Sequence, residues 1–211
     1  MGNYNIFASF YDNLTQNVDY NNISLFIDRT IKEDGNGGNL VLDLACGTGT
    51  LACMLAKLGY DVVAADKSEE MLSIAMNKAE TFGNPIFLNQ SMQELDLFGT
   101  IDAAVCTLDS INHIDNKQDI KKAIERVSLF LNKGGLFIFD VNSLFKHQNI
   151  LSNNCFVYET DDVYCVWQNQ LNADNSVDTV VIKNGNSIKL NIDANDAAIN
   201  NVSYSFKDIE N

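Results

Sequence analysis

The ten residues Val41-Leu42-Asp43-Leu44-Ala45-Cys46-Gly47-Thr48-Gly49-Thr50 decide how the rest of the chain is read. Apolar residues surround one acid, Asp43, and run into a glycine turn followed by a helical pattern opening at Leu51. That order predicts a buried strand, a tight turn and a helix N-terminus. Glycine accepts positive φ and has no Cβ, so the backbone N–H groups of such a turn approach a ligand closely. A nucleoside cofactor is expected here. Gly47, Gly49 and Ala52 fit the G-x-G-x-x-A spacing of a dinucleotide site, and Asp66 ends a second strand about 17 residues after Gly49, so a nicotinamide dinucleotide is one reading. Asp43 favours another cofactor. It stands inside the first strand, where a dinucleotide site calls for apolar residues, and an acid there suits a ligand carrying an ammonium group.

Outward from this stretch, strand and helix alternate, which with crossovers of this length implies a parallel sheet covered on both faces. A helix over Leu51–Leu58 stops at Gly59, a second strand runs from Asp61 to Asp66, and Ser68 caps a helix with Glu69 and Glu70 in its first turn. Its inward face reads Met71, Leu72, Ala75, Met76 and Ala79. Ile86–Asn89 and Ala103–Leu108 read as strands three and four. Asp115 and Gln118 resemble a capping box for the next helix, and Leu136–Val141 is a buried fifth strand. Before the first strand, residues 4–14 and a helix capped by Asn22, with Ile23, Phe26, Ile27 and Ile31 inward, are candidates for a lid rather than for the sheet's packing layer, with an ordinary N-terminal helical pair as the plain alternative. After Asn142 the runs Phe156–Glu159, Val163–Gln168, Thr179–Lys183 and Ser187–Ile192 suggest an antiparallel meander, with Val202–Phe206 as a further strand.

Composition bounds the function. The 211 residues suit one domain with a sizeable core and a small appended cap. Asp and Glu number 28 against 14 Lys and Arg, a net charge of −14 that repels phosphate backbones, so no nucleic-acid partner is expected and a small molecule is. No leader pattern and no run of about 20 apolar residues is seen, so the expectation is a cytoplasmic protein with no membrane partner. Cys46, Cys53, Cys106, Cys155 and Cys165 form an odd set without C-x-x-C spacing, which argues for reduced, mostly buried thiols. With only His113 and His147 to join them, no metal site is expected, and His147 is read as a surface residue.

Taken in order, VLDLACGTGT, VVAADKSEEML, NQSM, IDAAVCTLDSINHI and KGGLFIFDVNS resemble the motif series of class I S-adenosylmethionine-dependent methyltransferases. The resemblance covers roughly residues 4–170 and is strong through about Ser143. It implies an α/β, Rossmann-like doubly wound sheet of parallel order 3-2-1-4-5, with N-terminal helices and the C-terminal antiparallel β meander. The domain expectation is a cofactor-binding domain with an N-terminal helical lid over residues 1–145, and a β-rich cap or insertion over residues 146–211. The cofactor implied is S-adenosyl-L-methionine. Asp66 would take the ribose hydroxyls, Met71 would lie against the adenine, and Gln90, Ser91 and Met92 would lie near the adenine edge. Ala45, Gly47, Thr48, Gly49 and Lys67 would complete the cradle with Asp43, and Cys106 and Leu108 would end strand four at the crevice where the strand order reverses. Many relatives carry an acid at the place of Ser91, and serine is the weaker acceptor.

Methyl transfer from a sulfonium is an in-line displacement in which positioning and water exclusion carry much of the barrier reduction, with a base removing a proton from the acceptor. Asp109-Ser110-Ile111-Asn112-His113 resembles the corresponding stretch of amino-sugar N-methyltransferases, which implies His113 as base or acceptor-positioning group, Tyr11 closing over the site, and Asp109 beside them. A loop or capping histidine at 113 and core packing at Met71 are the plain alternatives. Residues 184–211 lack the amphipathic helix and the G-F turn of the family, so the C-terminus reads as truncated or diverged. The function expected is methylation of a small-molecule amine or hydroxyl acceptor by a monomer or homodimer. A non-catalytic S-adenosylmethionine-binding or interaction protein is the alternative, and an NAD-binding oxidoreductase the third.

Overall fold

A computed structural model describes residues 8, 11–80, 85–114, 116–159, 164–173, 175, 177–183 and 186–192. The chain forms two compact units, one built from residues 1–108 and 120–140 and the other from residues 109–119 and 141–211. In the first unit, β1 (Leu40–Leu44), β2 (Asp61–Asp66), β3 (Ile86–Asn89), β4 (Ile101–Cys106) and β5 (Leu131–Phe139) form a parallel sheet of order β3-β2-β1-β4-β5. The doubly wound sheet and its order are as expected. β1 is central, with Asp43 in register with Ala64 on one side and Val105 on the other. Four helices, α1 (Tyr20–Asp34), α2 (Thr50–Lys57), α3 (Glu69–Ala79) and α4 (Lys117–Phe130), supply the crossovers and the layer before β1.

The core explains why these segments hold their places. Ile27 and Ile31 of α1, Leu51, Ala52 and Leu55 of α2, and Val41, Val62, Ala64, Ala103 and Val105 of the sheet form one buried cluster with Tyr60. α1 therefore belongs to the sheet's packing layer, which corrects the expectation of a lid for this helix. Its buried stripe is Ser24, Ile27 and Ile31, flanked by Tyr20 and Ile23, while Phe26 lies on the exposed flank instead of inward. The helix also starts earlier than Asn22: Asp19 is the cap, its Oδ1 accepting from Asn22 N–H at 3.0 Å. Met76 of α3 is likewise exposed, because Leu72, Ala75 and Ala79 fill the stripe that faces the sheet.

Other boundaries shift for local reasons. Asn116 Oδ1 accepts from Asp119 N–H at 2.9 Å and so serves as the cap of α4; Asp115 lies outside the described residues. β5 opens at Leu131, and its pairing with β4 jumps from Ile101–Leu131 to Ala103–Leu136, a bulge that absorbs Gly134 at φ +76°. β5 ends the sheet among the described residues, so Phe139 is exposed and the strand is less buried than its apolar run implied. β4 ends at Cys106, and Leu108 adopts a left-handed φ of 58° beyond it.

At the opposite, N-terminal edge of the sheet, Asp102 acts as a clasp. Its Oδ2 accepts from Leu40 N–H at 3.1 Å, and its Oδ1 from the Asn132 and Asn36 side-chain amides at 2.9 and 3.2 Å. These bonds, Asn132's first, hold the Asp102 carboxyl below the usual carboxylate range.

The second unit is a meander of β6 (Cys155–Glu159), β7 (Tyr164–Leu171), β8 (Val177–Lys183) and β9 (Asn186–Ile192), all antiparallel in that order. The expected meander is present; Val202–Phe206 lies outside the described residues. Short helical turns at Ser110–His113 and Lys146–Leu151 belong to the same unit. His147 sits in the second turn with 0% exposure, its Nδ1 3.2 Å from the Asn175 carbonyl, so the surface expectation for it is corrected.

Candidate functional site

The glycine turn follows β1 because three residues in five turn left-handed: Ala45 at φ 59°, Gly47 at 54° and Gly49 at 72°. Alanine resists that conformation, so surrounding bonds must hold it. Cys46 N–H donates to the Ala65 carbonyl at 3.1 Å, Gly49 N–H to the Cys46 carbonyl at 2.9 Å, and Gly47 N–H to Asp66 Oδ2 at 2.8 Å. Gly49 is also required for space, since a Cβ there would lie 2.9 Å from Ala75 Cβ and 3.2 Å from the Phe87 ring. It is the N-cap of α2, so the turn delivers the chain straight into a helix N-terminus.

Behind the turn sits Asp43, 2% exposed. Its Oδ2 is buried without a hydrogen-bond partner, and Ala52 N–H of α2 is the backbone donor that reaches its carboxylate. Burial first, and then the charge of Asp66, push its carboxyl up to about 7. A buried carboxylate short of donors is costly, and a cationic group supplied by a ligand would relieve it. The same burial pushes up the thiols of Cys46 and Cys106 and keeps both protonated.

Asp66 ends β2 with both oxygens engaged, Oδ2 with Gly47 N–H and Oδ1 with Ser68 N–H, each at 2.8 Å. An ionised carboxylate offers about four lone-pair sites, so two are left for vicinal hydroxyls. Ser68 Oγ in turn accepts from Met71 N–H at 3.2 Å, which fixes Met71 on the buried side of the first turn of α3, while Lys67 is exposed. Gln90 holds its own loop: its Oε1 accepts from Asp96 N–H at 2.9 Å and its Nε2 donates to the Asp96 carbonyl at 3.1 Å. Ser91 Oγ donates to Glu94 at 3.0 Å, and Met92 opens the short turn Met92–Glu94. Asp43, Ala45, Gly47, Thr48, Gly49, Asp66, Lys67, Met71, Gln90, Ser91, Met92, Cys106 and Leu108 thus all fall in the first unit, at or just after the C-terminal ends of β1 to β4 or in α3.

The candidate catalytic residues divide between the units. Tyr11 is in the first unit, and its ring is the neighbour that a Cβ on Gly47 would meet, at 3.8 Å. Asp109 and His113 are in the second, bracketing the turn Ser110–His113, with His113 exposed. Asp109 is left-handed at φ 51° directly after Leu108, so a strained pair follows the end of β4. Its Oδ2 accepts from Asn142 Nδ2 at 2.8 Å, and Lys146 Nζ donates to Asn142 Oδ1 at 2.5 Å. Asn142 N–H donates to the buried Asn112 Oδ1 at 2.8 Å. Asn112 and Asn142 lie inside the stretches IDAAVCTLDSINHI and KGGLFIFDVNS but without an expected role, and Lys146 lies outside them, so nothing local points to this cluster.

The donor set fits S-adenosylmethionine: a buried anion short of a cationic partner, a strand-end carboxylate with free lone pairs, and a glycine turn at a helix N-terminus. Three comparisons agree. A methyltransferase-domain family model matches residues 41–135. YqeM of Bacillus subtilis (strain 168), a methyltransferase by name, is 36% identical over 172 residues, 81% of this chain and 68% of that protein. The crystal structure of an S-adenosylmethionine-dependent methyltransferase from Clostridium acetobutylicum ATCC 824 superposes with a TM-score of 0.78 at 35% identity, covering 99% of this chain and 85% of that one. A glycine/sarcosine N-methyltransferase from Parasynechococcus marenigrum (strain WH8102) is 33% identical over 118 residues, 54% of this chain and 41% of that protein. Among the described residues no helix is long and apolar enough to cross a membrane, and no group of three or more His, Cys, Asp and Glu is placed to hold a metal.

Proposed function

We propose a small-molecule methyltransferase acting on an amine or hydroxyl acceptor, on the premise that this chain belongs to the class I S-adenosylmethionine-dependent methyltransferases. The observation that carries the cofactor assignment is Asp43 Oδ2, buried and unpartnered behind the glycine turn. In this reading Asp43 holds the ammonium of the methionyl moiety, directly or through one water, and Asp66 accepts from the ribose hydroxyls with its two remaining lone pairs. Met71 packs against the adenine, and the loop closed by Gln90 borders its edge. Bound S-adenosylmethionine supplies a methyl group on a positively charged sulfur, already a strong electrophile.

The chain's own contribution is then to orient the acceptor, exclude water and receive one proton. His113 takes the proton from the acceptor nitrogen or oxygen, Asp109 accepts from a second N–H where the acceptor is an amine, and Tyr11 covers the glycine turn. The net charge of −14 favours an amine-bearing acceptor over a phosphate-rich one. The relative named as a glycine/sarcosine N-methyltransferase supports the same acceptor class. Production of S-adenosylhomocysteine with a panel of small amines, amino acids and hydroxyl compounds tests it. Turnover is expected with a small amine, and His113→Ala should lower kcat by about 100-fold or more, the range of a lost general base, with cofactor affinity unchanged. Full activity in both His113→Ala and Tyr11→Phe would remove these residues from the mechanism.

A further inference from the structure

Lys78, in the last turn of α3, has nothing to do with the cofactor motifs, yet its ammonium is wired into the glycine turn. Nζ lies 2.8 and 3.0 Å from the two carboxylate oxygens of Asp12, 3.2 Å from Thr48 Oγ1 and 2.7 Å from Thr50 Oγ1. An ammonium has three N–H donors, and here the acceptors are one carboxylate and the two hydroxyls that flank Gly49. Thr48 Oγ1 closes the network by donating to Asp12 Oδ1 at 2.6 Å, a short charge-assisted bond. The Lys78 side chain is 19% exposed and that of Asp12 45%, so the pair is partly screened, whereas Thr48 is fully buried. Asp12 follows Tyr11, whose ring faces Gly47, and residues 11–14 form one helical turn. One lysine therefore ties three segments together: that turn, the cofactor turn and the helix that carries Met71.

A lysine at a helix C-terminus commonly complements the helix dipole from solvent. Lys78 instead spends its donors on side chains from other segments, one of them 66 positions away in sequence. We propose that Lys78 and Asp12 are positioning residues that latch the 11–14 turn onto the glycine turn, and that this latch sets how long the cofactor stays bound. The inference rests on the glycine turn being the cofactor site. Breaking the pair frees Thr48 and Thr50 together with residues 11–14, so Tyr11 leaves Gly47 and the cofactor escapes faster, while Asp66 keeps its own bonds to Gly47 N–H and Ser68 N–H.

Stopped-flow dissociation of S-adenosylhomocysteine from Lys78→Met, Asp12→Asn and the double variant tests the latch, alongside hydrogen exchange of residues 11–15 in the ligand-free full chain. Each single variant is expected to raise the dissociation rate about 10-fold, a change of about 1.4 kcal/mol in the bound state. The double variant should be no worse than either single one, and Lys78→Arg should restore most of the wild-type rate. The cofactor KM should rise by a larger factor than kcat falls, the fall reflecting the displaced Tyr11, a split that general destabilisation would not give. Faster exchange at Thr15 N–H, which donates to the Tyr11 carbonyl at 3.0 Å, should accompany the change. Unchanged dissociation in both single variants, or strictly additive effects in the double, overturns the proposal. If the wild type bound no S-adenosylhomocysteine, the cofactor assignment would fall, while unchanged exchange over residues 11–15 in Lys78→Met would independently sink the latch.

Discussion

Two acids sit inside neighbouring strands of one sheet, and the protein treats them in opposite ways. Asp102 lies near the start of β4 with three donors converging on it from Leu40, Asn36 and Asn132, and its carboxyl is held low. Asp43 lies near the end of β1 with Oδ2 unpartnered, and its carboxyl is pushed up to about 7. Both are short acidic side chains in parallel strands; what differs is which end of the sheet they occupy. The N-terminal end is closed by the protein's own amides, so its acid stabilises the fold. The C-terminal end is left short of donors, which is why its acid is proposed to meet a ligand. On this proposal the sheet carries stability at one end and its cofactor chemistry at the other.

Stability against pH should separate the two most strongly. Asp43 has a folded-state value of about 7, above its unfolded one, so its contribution is complete below about pH 4 and withdrawn as pH rises through 7. Asp43→Asn should therefore make the ligand-free protein more stable at pH 8, by up to about 4 kcal/mol, with no gain at pH 4. It should also weaken S-adenosylhomocysteine binding by about 100-fold, the size of a lost charged hydrogen bond. Denaturant melts at both pH values check this, and a variant less stable at pH 8 would erase the contrast.

Asp102 shows the reverse sign. Its depressed carboxyl contributes stability above its unfolded value and loses it as pH falls through the folded one. Asp102→Asn should cost about 2 kcal/mol at pH 7, with the difference shrinking at acid pH and with S-adenosylhomocysteine affinity unchanged. An affinity loss matching that of Asp43→Asn would show that the two edges are not separate.

The same division explains how much could be read from the residues alone. The glycine turn, Asp66 at a strand end and Ser68 as cap are local patterns, the sheet order is what the family resemblance implies, and each stands in the structure as expected. Asp43 was legible because an acid in a buried apolar run is anomalous whatever surrounds it. Lys78 was not, since its partners come from segments far apart in sequence, and helical spacing makes it look like an ordinary surface lysine. His147 was misread for a related reason: its burial is set by the second unit's own packing, including the carbonyl of Asn175, and no periodicity near it announces this. Phe26 and Met76 erred the other way, being apolar but one position off stripes already filled by smaller residues.

The most direct measurement of the central claim is calorimetric titration of S-adenosylhomocysteine at pH 6 in two buffers of different ionisation heat. If Asp43 pairs with the ligand's ammonium, binding must strip its proton, and the two buffers should report release of close to one proton per site at pH 6 and about none at pH 8, where Asp43 is already ionised and the ligand's amine is still mostly protonated. Asp43→Asn should show no release at either pH. Tight binding by the wild type with no proton released at pH 6 would contradict the assignment of Asp43 as the cofactor's counter-charge.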